Sequence, residues 1–168
     1  MAYQILIWLL RIVHIVGGVF WVGGSLVMTF FIVPTVGAMG ESGQKFVGHL
    51  MNNLKFSNRM AAASGSTVLA GIILFGLDAR AGATWVRSTF ATGLSIGAGF
   101  ALIGFVLGIL VGRTSKAMAQ LGTQFQGKPT AEQLAQMQTI QKQQATYSTL
   151  STVTLVLAVV FMAIARYL

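Results

Sequence analysis

The stretch Ile5-Leu-Ile-Trp-Leu-Leu-Arg11-Ile-Val-His14-Ile-Val-Gly17-Gly18-Val-Phe-Trp21-Val-Gly-Gly-Ser-Leu-Val-Met-Thr-Phe-Phe-Ile-Val33 decides the fold. A bilayer-crossing helix needs about 20 mostly apolar residues, and this run supplies more. No basic segment precedes it, and it is longer than the roughly 7–15-residue apolar core of a secretory signal. It is therefore expected to be a retained membrane helix, closed by Pro34, which cannot continue a helical hydrogen-bond ladder.

Three further segments have the same character: about Ala61–Leu77, Phe90–Gly112 and Leu150–Leu168. The composition agrees. Of 168 residues, 55% are hydrophobic and only 8% charged, with a mean hydropathy of +0.76. Soluble domains carry roughly 25% charged residues, so this chain cannot cover a water-facing surface. That excludes a soluble enzyme and a disordered tail, and the absence of cysteine excludes a disulfide scaffold and thiolate metal sites. The expected fold is all-α: one integral membrane four-helix bundle spanning residues 1–168.

The net charge of +8 comes from basic residues scattered between apolar segments. That pattern suits anionic lipid headgroups and topology, not nucleic acid. Seven basic residues (Lys45, Lys55, Arg59, Arg113, Lys116, Lys128, Lys142) fall in the two longer loops, against Arg80, Arg87 and Arg166 on the other side. The positive-inside rule then places the long loops in the cytoplasm and both termini outside an inner (cytoplasmic) membrane. Thr130-Ala-Glu-Gln133 after Pro129 matches a capping box, and Gly122 is placed as a C-terminal cap. Spans three and four therefore extend into a protruding cytoplasmic helical hairpin, rich in Gln and Thr. Such a surface can be a solvated spacer or a docking surface for other membrane subunits.

Only Arg11 and His14 are ionisable groups placed well inside a span, and such groups default to functional hypotheses. Their spacing of three puts them on one helical face, continued by Gly17, Gly18 and Trp21. Two readings stand side by side. In one, His14 is an axial ligand of haem b, the glycines leave room for the macrocycle, and Arg11 meets a propionate. In the other, His14 hydrogen-bonds a neighbouring helix, while Arg11 snorkels or pairs with Asp78. His49 lies some 30–40 Å away in depth at about 1.5 Å per residue, too far to share a haem. Met162 is the alternative second ligand within the chain. The glycines at spacings of four in span three (Gly93 and Gly97; Gly104, Gly108 and Gly112) are expected at helix contacts. No acid–base pair accompanies His14, so no catalytic residue is assigned.

The segment from Leu10 through Arg11 and His14 to Trp21 and Gly24 resembles the opening helix of a group of bacterial four-helix membrane proteins. That group includes the copper-resistance CopD-type domain, the HemJ-type protoporphyrinogen oxidase and an uncharacterised branch that this chain resembles most. They share Arg-x-x-His followed by a small residue and Trp-x-Gly. The resemblance implies the four-helix fold, and in haem-linked members the matching histidine is taken as a haem ligand or catalytic residue. Those members carry further polar residues, including a His or Lys in the third span; residues 90–112 here carry none. The expected function is a non-catalytic subunit or assembly component of a larger, electron-transfer-type membrane complex, with haem binding through His14 as the alternative.

Overall fold

α1 (Ala2–Val27) enters a π-helical turn at Met28–Ile32 and continues as α2 (Val33–Met39). The result is one apolar rod of 38 residues. Pro34 does not close it, contrary to expectation. In the π turn the Val33 N–H reaches back to the Met28 carbonyl, and this wider ring absorbs the donor that proline lacks. The rod ends instead at Gly40, whose φ of 59° suits a residue without Cβ. There the chain folds back into α3 (Glu41–Asn52), where Gly43 lies against the Val36 backbone.

The structure, a computed structural model, describes residues 1–80, 82–125 and 129–168. Lys128, one of the basic loop residues, lies outside the described residues. Past Lys55, α4 (Phe56–Ala79) begins one turn earlier than the apolar run suggests. A short α5 (Ala83–Val86) leads to α6 (Thr89–Thr123), capped by Ser88, whose Oγ accepts the Ala91 N–H at 3.1 Å. α7 (Ala131–Ile164) opens on the expected capping box: the Gln133 N–H donates to Thr130 Oγ1 at 3.2 Å, and the Thr130 N–H to Gln133 Oε1 at 2.9 Å. A 3-10 turn, Ala165–Tyr167, follows. α6 runs one residue past Gly122, which is not its cap. Gln124 closes it in right-handed geometry, and i→i+3 bonds to Leu121 and Gly122 satisfy the last carbonyls. Among the described residues the chain is all helical, and four of its helices are long and apolar enough to cross a membrane.

These four helices form two antiparallel pairs. In the first, Gly17 of α1 meets Ala63 and Thr67 of α4, and Gly24 meets Met60. In the second, Gly93, Gly97 and Gly104 of α6 meet Ala165, Ala158 and Leu155 at the α7 side. A Cβ at Gly93 would stand 2.9 Å from the Ala165 Cα, so these backbones touch only because side chains are missing. In a lipid solvent apolar surface gains little from burial between helices, and close van der Waals contact with interhelical hydrogen bonds takes over. One such bond runs from Ser151 Oγ to the Gly104 carbonyl at 2.9 Å. The outward faces carry Val19, Leu69 and Val106, all exposed, as a lipid environment requires.

The two pairs join less closely. Trp21 sets its edge on Phe105 with centroids 6.0 Å apart, and Thr29 hydrogen-bonds Ser148 and Thr152. Near the α5 turn, Trp85 stands edge-on between Phe75 and Phe90.

The glycine seam predicts opposite signs for one substitution. Gly93→Ala should lower the unfolding free energy by about 1–3 kcal/mol through overpacking. Gly99→Ala, which meets nothing within 4 Å, should raise it by about 0.5–1 kcal/mol. Chemical or thermal unfolding in detergent compares the two, and equal effects would refute the seam.

Candidate functional site

His14 projects from α1 onto α4. Its Nδ1 lies 2.8 Å from the Thr67 carbonyl, which can only accept. Nδ1 therefore carries the proton, and in the neutral ring Nε2 keeps its lone pair. The ring fits because position 71 is glycine: a Cβ there would fall 2.7 Å from His14 Cε1 and 2.9 Å from Nδ1. The imidazole is half-buried, and a hydrogen bond of this kind orients metal-ligating histidines.

The rest of the sequence-selected face is dispersed. Gly17 and Gly18 do not border open space beside the imidazole. Both face Thr67, whose Oγ1 would be 2.6 Å from a Cβ at Gly17. The Thr67 hydroxyl is buried there without a hydrogen-bond partner. Trp21 is buried at 5% exposure against the other helix pair. Met162 lies in that pair, with its Cγ 2.8 Å from a Cβ at Gly97. Arg11 is exposed and forms no ion pair with Asp78; among the described residues the only ion pair is the exposed Lys45–Glu41, 2.8 Å. The antiparallel register explains this: with His14 opposite Gly71, Asp78 falls opposite Ile7, one turn beyond Arg11. His49 is exposed on α3, past the far end of the rod. Among the described residues no three His, Cys, Asp or Glu side chains gather as a metal site.

A second site was not singled out from the sequence. Between the two helix pairs lies a cavity of about 300 Å³, walled by Trp21, Met28, Phe56, Met60 and Phe105 and closed at one side by Met51 of α3. Among the described residues its polar lining is hydroxyls and one amide, with no charged residue. Three hydroxyls form a directed chain. Thr152 donates its single proton to the Ser148 carbonyl at 2.9 Å, so at 3.0 Å it must accept from Thr29. Thr29 must then accept from Ser148, at 2.9 Å. Deeper along the hairpin, Gln144 Nε2 donates to Ser115 Oγ at 2.9 Å. The sequence signal was present: Trp21, Ser25 and Thr29, and Gln144, Ser148 and Thr152, each recur at spacings of four. Isolated hydroxyls in apolar helices usually bond back to their own helix, so only the pairing of helices reveals a common site.

Compared with protein-family models, characterised proteins and solved structures, the chain matches none.

Two measurements check the histidine geometry. Nitrogen-15 spectra of labelled protein should show neutral His14 protonated at Nδ1, and the opposite tautomer would contradict it. Gly71→Ala, which drives a methyl into the ring, should destabilise by about 1–3 kcal/mol. Gly65→Ala, with nothing within 4 Å, should not.

Proposed function

We propose that this chain is a non-catalytic, multi-pass component of the cytoplasmic (inner) membrane. In this reading it acts as a subunit or assembly factor of a larger complex of the electron-transfer type, and its bundle stands with both termini outside. The observation that carries the reading is the length of the second helix pair. α6 has 35 residues and α7 has 34, about 50 Å each at 1.5 Å per residue, against a hydrocarbon core of about 30 Å. Some 20 Å is left to project as a hairpin. Its α7 part exposes Leu134, Gln136, Gln138, Gln141 and Gln143 with little charge, a surface better suited to association than to solvation. The excess of basic residues at the end bearing α3 and the α6–α7 turn supports the cytoplasmic placement of that end.

One observation favours a second reading, haem b binding through His14. Donation of Nδ1–H to the Thr67 carbonyl leaves Nε2 basic, and exposed Arg11 is free to meet a propionate. The resemblance of the opening helix to CopD- and HemJ-type proteins points the same way. Haem would supply a one-electron redox centre. The fit is partial: the imidazole suits the iron, but Gly17 and Gly18 are filled by Thr67 and Met162 sits against Gly97. A macrocycle would have to seat on another side of His14, and a second ligand would have to come from another chain.

Gentle purification from native membranes separates the two. A colourless preparation carrying stoichiometric partners, released by Leu134→Lys with Gln138→Lys, is the expected result. A reduced-minus-oxidised visible spectrum whose Soret and alpha bands vanish in His14→Ala would instead establish the haem reading. Reporter fusions should place Gly82 outside and Gly122 inside; the reverse pattern would overturn the orientation.

A further inference from the structure

The cavity between the two helix pairs has a strongly one-sided hydrogen-bonding character. Eight hydroxyl side chains line it, and seven already donate their only proton. Beyond the Ser148–Thr29–Thr152 chain, Ser25 donates to the Trp21 carbonyl, Ser57 to Met51 Sδ, Ser64 to the Ala61 carbonyl and Ser151 to the Gly104 carbonyl. Only Ser115, which accepts from Gln144, has a proton not engaged by another group. What these oxygens still offer is lone pairs: two on Ser148, and at least one on each of the others. The free donors are confined to one end, the Ser115 O–H and the second Gln144 Nε2–H; around Ser148, Thr29 and Thr152 an acceptor-only head, such as a quinone or a carboxylate, would face oxygen against oxygen. A ligand rich in O–H donors would be matched.

The space is maintained at the expense of helix stability. Five of the seven glycines of α6 fall into two sets, while Gly99 and Gly122 meet nothing within 4 Å and lie outside the cavity lining. Gly93, Gly97 and Gly104 are pressed against α7, whereas a Cβ at Gly108 or Gly112 would meet nothing within 4 Å, and both of these residues line the cavity. Glycine inside a helix costs about 0.5–1 kcal/mol relative to alanine, and packing gives no return for it at these two positions. Their effect is to keep room for something else. The occupant must also be part apolar, because one tryptophan, two phenylalanines and the Met28, Met51 and Met60 side chains form much of the remaining wall. The cavity stands where α7 changes from the amide-rich run ending at Gln144 to the apolar run from Leu150, which puts it near the headgroup level in the bilayer placement proposed above. Arg113 follows Gly112 directly, yet among the described residues no charged side chain enters the lining, so an anionic head finds no cation there.

We propose that this cavity binds the uncharged, hydroxyl-bearing head of a lipid of the glyceride type, its O–H groups donating to the lone pairs around Ser148 and its chain lying between Phe56, Met60 and Phe105. Binding here is independent of both readings of His14, which lies in the α1–α4 seam outside the lining.

The test uses Trp21, which lines the cavity, as sole reporter in a Trp8→Phe, Trp85→Phe background. A monoacylglycerol with a brominated acyl chain is titrated in mixed micelles. The expected result is saturable quenching of Trp21. Affinity should fall at least tenfold when both glycerol hydroxyls are methylated, and likewise in Gly108→Leu, which fills the void, but not in Gly99→Leu on the open face. Ser148→Ala supplies a second, milder variant with the same expected direction, so a folding failure of Gly108→Leu leaves the outcome readable. Equal quenching by the brominated methyl ester, or by the dimethyl ether, would overturn the proposal. So would an absence of saturable glyceride quenching together with a saturable change in Trp21 emission on adding free glycerol, which would assign the same lone pairs to a soluble polyol.

Discussion

The architecture depends on backbone touching backbone where side chains are absent. Gly17 against Ala63 and Thr67, and Gly93, Gly97 and Gly104 against α7, set both helix pairs. In water the same helices would be drawn together by their leucines and valines; here those residues face outward, where lipid tails are as apolar as any protein neighbour. Close approach is then the main source of specificity, because attraction between helices falls off steeply with separation. It also decides which polar contacts form. Ser151 reaches the Gly104 carbonyl and His14 reaches that of Thr67 only because a glycine, at 104 itself or at 71 beside the ring, admits the neighbouring helix.

Much of this was legible in the sequence. The four apolar runs correspond to the four long helices, and the capping box at Thr130 marks the start of α7. The five glycines at spacings of four in span three announced close packing, but only Gly93, Gly97 and Gly104 provide it. Spacing of four places residues on a face without saying whether that face is occupied along its whole length. Pro34 was read by its usual effect, and the π turn that accommodates it has no sequence signature of its own. The face bearing His14 was legible as a face, yet its glycines belong to the α4 contact. A single helix cannot reveal which of its neighbours will take the space beside an imidazole. The hydroxyl cavity has no signature in any one helix, because Ser25, Ser64 and Thr152 bond back to their own helices while Thr29, Ser57 and Ser151 find partners on others.

His14 and the cavity represent two ways of accommodating polarity among apolar helices. The imidazole is immobilised by one bond to a carbonyl already engaged in a helix, leaving one nitrogen for whatever lies beyond. The hydroxyls instead satisfy one another and their own backbones, exposing acceptors collectively. The first arrangement suits a single directed bond. The second suits an exchangeable guest whose affinity is spread over several weak contacts. Their separation on different helix seams lets either be altered without dismantling the other.

The π turn at Met28–Ile32 has a geometric consequence. One additional residue in a helical turn rotates everything after it by about 100°. Trp21 and Ser25 before the turn, Thr29 within it and Val33 at its end all line the cavity toward the second helix pair; further on, the Val36 backbone lies against Gly43 of α3. The insertion thus acts as a phase shift in a rod that would otherwise keep a single facing direction. One uninterrupted helix serves two differently placed neighbours, and deleting a residue between 28 and 32 would throw the two halves out of step.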